Sequence, residues 1–154
     1  MSIGPYKNIL FVDYENVGKV DLSAIPADVQ VPFFFGTSQK SVPTEFMRAA
    51  LKLGQRFVPI DIEGQGTNAL DFHIAFYLGE YLAADAHANC IILSKDKGFD
   101  PLVKHLRGRG FKVRRATSIS EAFTAAAPAK SAASAAPAAQ AKRNLPKRRP
   151  GHRL

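Results

Sequence analysis

Apolar and polar positions divide the first 124 residues into alternating strands and helices. Short runs that are apolar almost throughout are typical of strands buried on both faces, and apolar residues that recur every three or four positions are typical of helices. The predicted strands are residues 8–13, 29–36, 56–61, 89–94 and 111–116. The predicted helices are residues 44–54, 68–85 and 99–110, and a last short helix begins within residues 119–123.

Strands that alternate with helices predict the α/β class. We expect a three-layer α/β/α sandwich around a five-stranded, mainly parallel sheet, because the connecting helices must cover both faces of the sheet. In such sheets, binding sites form at the carboxyl ends of the strands, where the strand order reverses. With an assumed order of 3-2-1-4-5, the first and fourth strands are central neighbours at that point.

Four carboxylates from distant parts of the sequence are predicted to meet at this edge. Asp13 ends the first strand, and Asp96 follows the fourth strand in the stretch ILSKDKGFD. Asp71 and Asp100 lie in the first turns of the two helices that begin at the same edge. Each acid alone has a structural explanation, either as a turn or loop residue or as a favourable charge at the start of a helix.

Together, the four carboxylates favour a metal site. Two carboxylates about 4 Å apart repel each other by about 4 kcal/mol at an effective dielectric constant near 20. A cation removes this cost, and a ligand set made only of oxygen selects hard ions such as Mg²⁺ or Mn²⁺. Such ions suit phosphodiester hydrolysis, because they lower the pKa of the attacking water and stabilise the leaving oxygen.

Other residue types exclude several classes of site. Cys90 is the single cysteine, which excludes an intramolecular disulfide framework and a zinc site of the multi-cysteine type. A chain with one cysteine fits a reducing compartment, and we expect it to be cytoplasmic. No stretch is long and apolar enough to span a bilayer, so we expect no membrane partner. The sequence suggests no Ser-His-Asp or Cys-His arrangement.

Residues 125–154 differ from the rest in composition. They contain 7 Lys/Arg and no acid, whereas residues 1–124 contain 14 Lys/Arg and 13 Asp/Glu. Prolines interrupt the alanines, and few side chains can offset the entropy of ordering. We therefore expect a domain of residues 1–124 followed by a disordered, Ala/Pro-rich basic tail. Three interpretations of the tail stay open: a solubilising linker, a basic arm that contacts nucleic acid, and a nuclear-import signal.

Three stretches point to a known family. They are FVDYENV, NALDFHIAFYLGEYL and IILSKDKGFDPLVKHLRGRGFKV, which occur in this order between residues 8 and 116. Together they resemble the PIN-domain superfamily, on its NYN-like side. The resemblance implies a five-stranded parallel sheet in the order assumed above. It also implies a nuclease that depends on Mg²⁺ or Mn²⁺ and usually acts on RNA.

The resemblance assigns roles to the acids. Asp13, Asp71 and Asp96 match the catalytic acids that hold the metal. Many NYN-like members carry a second acid two residues after the first acid of the S-x-D motif, where this chain has Gly98. Asp100 is the nearby substitute, and we predict it as a further metal ligand.

Substrate-binding residues are predicted around the same edge. Asn16 matches the amide of the D-x-x-N element, with Glu15 as the alternative, and Ser94 matches the serine of the S-x-D motif. Lys95 and Lys97 would hold the phosphate backbone, although solvated loop lysines explain them equally well. Two further candidates lie near the edge. Arg115 would contact phosphate, and Tyr14 would stack on a base, with packing as the alternative for Tyr14.

Two functions from different classes remain open. The first is a metal-dependent ribonuclease that acts on single-stranded RNA. The second is a non-catalytic RNA-binding or regulatory module with the same fold, which Gly98 favours. A phosphatase of the haloacid-dehalogenase type would use Glu15, two residues after Asp13, but lacks a serine or threonine at the expected place. A homodimer is kept as an open alternative for the quaternary state.

Overall fold

The central sheet brings strands together in an order different from that of the sequence. The computed structural model describes residues 4–66 and 68–124, so the predicted tail lies outside the described residues. The strands are β1 (Asn8–Asp13), β2 (Val29–Phe35), β3 (Phe57–Asp61), β4 (Asn89–Leu93) and β5 (Lys112–Ala116). They form a five-stranded sheet in the order β3-β2-β1-β4-β5, in which every pairing is parallel. The predicted class and strand order are confirmed.

Helices follow the strands along the chain. They are α1 (Tyr14–Val17), α2 (Thr44–Leu53), α3 (Ala69–Ala84), α4 (Asp100–Gly108) and α5 (Ile119–Phe123), with 3₁₀ turns at Leu22–Ala24, Gly54–Arg56 and Lys97–Phe99. The predicted ends of the long elements agree with the observed ends to within two residues. The sequence pattern does not predict α1, because four residues are too few to show a helical period.

The sheet carries a hydrophobic core on each face. In β1, Ile9 and Phe11 join the core beneath α3 and α4, whereas Leu10 and Val12 join the core beneath α2 and α5. This division follows from the alternation of side chains along a strand. The result is the predicted three-layer sandwich, in which β1 is buried on both sides and holds its last residue rigidly at the carboxyl edge.

Gly54 ends α2 as the sequence predicts. Its φ of 59° lies in the left-handed region, which glycine adopts without the steric cost of a Cβ atom. The chain then passes through the 3₁₀ turn Gly54–Arg56 into β3, which lies next to β2. Among the helices of the described residues, none has the length and apolar character needed to cross a membrane.

Candidate active site

Asp13 lies at the carboxyl end of the central strand and is almost fully buried. Its side chain is 3% exposed. The Ser94 hydroxyl, directly after β4, donates a hydrogen bond of 2.9 Å to Asp13 Oδ2. The same hydroxyl oxygen accepts a hydrogen bond of 3.0 Å from the backbone N–H of Asp96. A single buried serine thus holds two of the predicted catalytic acids in a fixed relation.

Asn16 connects α1 to the loop that follows β4. Its Oδ1 accepts a hydrogen bond of 2.7 Å from the backbone N–H of Lys95. The backbone amide of Asn16 also faces the Asp13 carboxylate and favours its charged form, although it does not meet the geometry of a helix-capping hydrogen bond. Asn16 therefore has a structural role here, and its predicted contact with substrate stays a prediction.

The charge environment of Asp13 is unfavourable for a carboxylate. Burial raises the pKa of the Asp13 carboxyl above its usual value, and the nearby charges of Glu15 and Asp96 raise it further. The hydrogen bond from Ser94 opposes these effects without cancelling them. A negative charge at this position is held at a cost that a cation would relieve.

Asp71 is also repelled by the neighbouring acids. It lies in the first turn of α3, and its pKa is raised to about 6. Burial is the largest cause, followed by the charges of Asp96 and Asp13, a side-chain hydrogen bond with Asp96, and the charge of Glu15. The structure therefore brings Asp13, Asp71 and Asp96 into one electrostatically coupled group.

The coupled acids do not yet form a ligand cage. Within residues 4–66 and 68–124, no group of three or more His, Cys, Asp or Glu side chains has an arrangement that could hold a metal ion as it stands. The donor set fits Mg²⁺ or Mn²⁺ in chemistry, since it contains only carboxylate oxygens and carries excess negative charge.

Glu15, predicted only as the alternative to Asn16, is a fourth acid in the group. It acts on the pKa of both Asp13 and Asp71. A Cβ atom added at Gly36 would lie 2.4 Å from Glu15 Oε2, so the glycine leaves the space that the Glu15 carboxylate occupies. The feature of the sequence that indicates Glu15 is its position two residues after Asp13.

Asp100 stands apart from the coupled group. Arg115 Nε donates to Asp100 Oδ1 at 2.7 Å, and Arg115 Nη2 donates to Asp100 Oδ2 at 3.1 Å. This paired contact with the Arg115 guanidinium holds the pKa of the Asp100 carboxyl below its usual value. Both carboxylate oxygens are thus engaged, and the predicted metal ligation by Asp100 requires this ion pair to open.

Arg115 lies at the predicted edge. Besides binding Asp100, its Nη1 donates a hydrogen bond of 3.0 Å to the backbone carbonyl of Ser94. Lys95 and Lys97 are exposed on the loop after β4, and Lys97 is close enough to Asp100 to help lower its pKa. Positive charge therefore borders the acids, which is the arrangement predicted for holding a phosphate backbone.

Gly98 has a local reason for lacking a side chain. Asp96 Oδ1 accepts a hydrogen bond of 2.8 Å from the Gly98 N–H, which starts the 3₁₀ turn Lys97–Phe99. A Cβ atom at Gly98 would lie 3.0 Å from the same oxygen. A side chain at this position would require the Asp96 carboxylate to shift by a few tenths of an ångström.

Two further residues make structural contacts. The Tyr14 ring packs 4.9 Å from Phe33 and 5.5 Å from Phe46 between ring centroids, so it belongs to an aromatic cluster. His73 Nε2 accepts a hydrogen bond of 3.2 Å from the Glu63 N–H. The proton of the neutral imidazole is then on Nδ1, which lies 2.6 Å from the Ala69 carbonyl oxygen and donates to it.

The comparison with known families agrees with this geometry. The PIN domain family matches residues 7–116, and the chain belongs to that family. PIN domains are in general nucleases whose acidic residues bind metal ions. No curated protein and no solved structure matches the chain significantly. The predicted resemblance is confirmed for the PIN domain, whereas membership of the NYN-like branch stays a prediction.

Proposed function

We propose that the protein is a Mg²⁺- or Mn²⁺-dependent ribonuclease of the NYN-like branch, which hydrolyses phosphodiester bonds in single-stranded RNA. The observation that carries the proposal is the convergence of Asp13, Asp71 and Asp96 at the carboxyl edge. Ser94 binds the Asp13 carboxylate and the Asp96 backbone, and burial, followed by the charges of Asp96 and Asp13, raises the Asp71 pKa to about 6. A protein gains no stability from such a group. Its occurrence at the carboxyl edge of a PIN domain sheet is best explained by a cation-dependent role.

Asp13, Asp71 and Asp96 would hold the ion, and the exposed Glu15 carboxylate stands beside them. When bound, the ion supplies a water of lowered pKa and stabilises charge on the leaving oxygen. Ser94 keeps the Asp13 carboxylate oriented by its hydrogen bond. The same hydroxyl anchors the backbone of Asp96, so the serine positions both acids.

The basic residues around the acids would bind the substrate. Lys95 and Lys97 are exposed and free to reach phosphate oxygens of a flexible strand. Arg115 is the third cation, and release of Asp100 would let its planar guanidinium form paired hydrogen bonds with a phosphate. Asp100 would then join the metal ligands, which connects substrate binding to completion of the site.

Cleavage of labelled single-stranded RNA by the full chain tests the proposed activity. We expect cleavage with Mn²⁺, none with EDTA, and a loss of at least about a hundredfold in Asp13→Asn and Asp96→Asn. Asp28→Asn is the matched control, because Asp28 is exposed just before β2 at the opposite edge of the sheet. Full activity of Asp13→Asn would disprove the proposal.

Ion binding has a readout that does not depend on activity. Mn²⁺ is expected to raise the melting temperature of the wild type, because the ion binds the folded state. Asp71→Asn and Asp96→Asn should lose this increase, and Asp28→Asn should keep it. Calorimetric titration of the wild type would give the number of ions bound. An equal increase in every variant would show that the acids do not hold the ion.

A second candidate function is an RNA-binding or regulatory module without catalysis. Gly98 and the ion pair between Asp100 and Arg115 favour it, because together they leave fewer acids available than a complete site needs. Tight binding of RNA without cleavage under any metal condition would support this alternative over the ribonuclease.

A further inference from the structure

The outward face of α3 is apolar although it is exposed. Phe72 is 72% exposed and Phe76, one turn later, is 64% exposed. The opposite face of the helix contributes its buried residues to the core: Leu70, Ile74, Leu78, Tyr81 and Leu82. A helix that is apolar on all sides is typical of one that is covered on all sides. The face made by Phe72, Phe76, Gly79 and Ala83 is called the α3 outer face below.

The packing of α3 in the single chain does not require a glycine at position 79. Gly79 lies inside α3, where glycine is less favourable than alanine. A Cβ atom added at Gly79 would meet nothing within 4 Å, so the packing of one molecule does not demand a glycine there. The missing side chain instead leaves room for a group that approaches the helix from outside.

We propose that the α3 outer face binds the same face of a second copy, with the two α3 helices antiparallel. A two-fold axis beside the midpoint between Tyr77 and Leu78 places Phe72 opposite Ala83 of the other copy. The same axis places Phe76 opposite Gly79. Each exposed phenylalanine then meets a small exposed residue, and symmetry repeats both contacts.

Charge favours a second copy over a nucleic acid as the occupant. Helix α3 contains no Lys or Arg, and a phosphate backbone needs such residues for affinity. In the proposed register Glu80, on the flank of the face, stands opposite Ala75 of the other copy. No carboxylate therefore confronts another carboxylate across the helix pair.

The proposed dimer keeps the two candidate active sites apart. Asp71 lies near the start of α3, so the antiparallel arrangement places it beside Ala84 of the other copy. The two Asp71 residues are then about 20 Å apart along the helix axes, at a rise of about 1.5 Å per residue. Dimerisation and catalysis are separate properties, and the proposal does not depend on the activity.

The mass of the full chain in solution tests the proposal. Sedimentation equilibrium at protein concentrations between about 1 and 100 µM should show a reversible dimer. This concentration range suits the weak association expected of a small interface. Phe76→Ala and Gly79→Leu should each weaken association about tenfold or more, the first by removing a contact and the second by filling the space. Leu51→Ala is the matched control, because Leu51 is 74% exposed on α2 and lies outside the face.

Exchanging Phe76 and Gly79 distinguishes the loss of a direct contact from a folding defect. In Phe76→Gly combined with Gly79→Phe, the same axis still places each phenylalanine opposite a glycine, so association should return toward the wild-type level. A melting temperature recorded for each variant identifies any that unfolds. A wild type that is monomeric over the whole range would overturn the proposal. Variants of Phe72 and Phe76 that reduce RNA binding without changing the mass would instead assign the face to nucleic acid.

Discussion

At the residue scale, the candidate site is a group of like charges held together by neutral hydrogen-bond donors. Ser94 is fully buried and serves Asp13 and Asp96 at once. The Gly98 N–H binds the Asp96 carboxylate. These donors reduce the repulsion among the acids but do not remove it, since the pKa of both Asp13 and Asp71 stays raised.

Asp71→Asn is expected to stabilise the metal-free protein. A carboxyl whose folded-state pKa is about 6 rather than 3.8 gives stability at low pH that is lost as the pH rises through this interval. At pH 7 the free energy of unfolding of the variant should exceed that of the wild type by about 1 kcal/mol. This value allows for solvent around a partly exposed group and for the lost charge at the helix start.

Urea unfolding in EDTA at pH values from 4 to 8 measures this effect. The difference between Asp71→Asn and the wild type should grow between about pH 4 and pH 6 and then stay constant. Asp28→Asn serves again as the control for a carboxylate outside the group. A variant that is less stable than the wild type at pH 7 would show that Asp71 is not under repulsion.

Ser94→Ala is expected to destabilise the protein by about 1–3 kcal/mol. The substitution leaves the Asp96 N–H without its partner and removes the donor to a carboxylate that is 3% exposed. Denaturant unfolding measures the loss, and Ser38→Ala, at an exposed position, is the control. A change within about 0.5 kcal/mol, as for ordinary surface substitutions, would contradict the proposed double role.

At the element scale, α3 delivers Asp71 to the edge, and His73 fixes the chain that leads into it. The His73 ring joins the Glu63 amide to the Ala69 carbonyl in the first turn. The helix therefore starts at a defined place relative to the end of β3. The aromatic cluster around Tyr14 gives α1 a similar anchor on the other face of the sheet.

His73→Phe should loosen the segment that precedes α3. Phenylalanine keeps the ring but cannot make either hydrogen bond, so we expect a loss of about 1–2 kcal/mol in stability. Hydrogen exchange should show the Glu63 amide exchanging about tenfold faster or more. His105→Phe, at an exposed position of α4, provides the comparison. Unchanged protection at Glu63 would argue against the bridge.

At the scale of the whole molecule, the excess of basic residues and the match to the PIN domain family lie in different parts of the chain. Residues 1–124 are nearly neutral, with 14 Lys/Arg against 13 Asp/Glu, whereas residues 125–154 contain 7 Lys/Arg and no acid. The family match ends at residue 116. If the basic segment binds RNA, it should add affinity that depends on salt and not on the metal.

Deletion of residues 125–154 tests this division. If all seven basic residues contact phosphates of a single strand, the slope of log affinity against log salt should become less negative by about 5. Filter binding at several salt concentrations gives the slope, and the melting temperature shows whether the shortened chain is folded. Metal-dependent cleavage should persist. An unchanged slope would mean that the segment does not bind the RNA.

The sequence alone determined the layered fold and most of the candidate site. Continuous apolar runs and helical periods are local patterns, so they predicted every strand and each long helix. The end of the apolar run at Asp13 and the starts of α3 and α4 likewise placed the acids at one edge, because parallel strands share their carboxyl ends. Coupling of Asp13, Asp71 and Asp96 was foreseeable on this basis.

Only the tertiary structure decided which side chains reach one another. It paired Asp100 with Arg115, added Glu15 to the acids, and gave Ser94 its two hydrogen bonds. It also left Phe72 and Phe76 exposed on the face of α3 opposite the core. These outcomes depend on distances of a few ångströms between segments that are far apart in sequence, and no local pattern of residues encodes such distances.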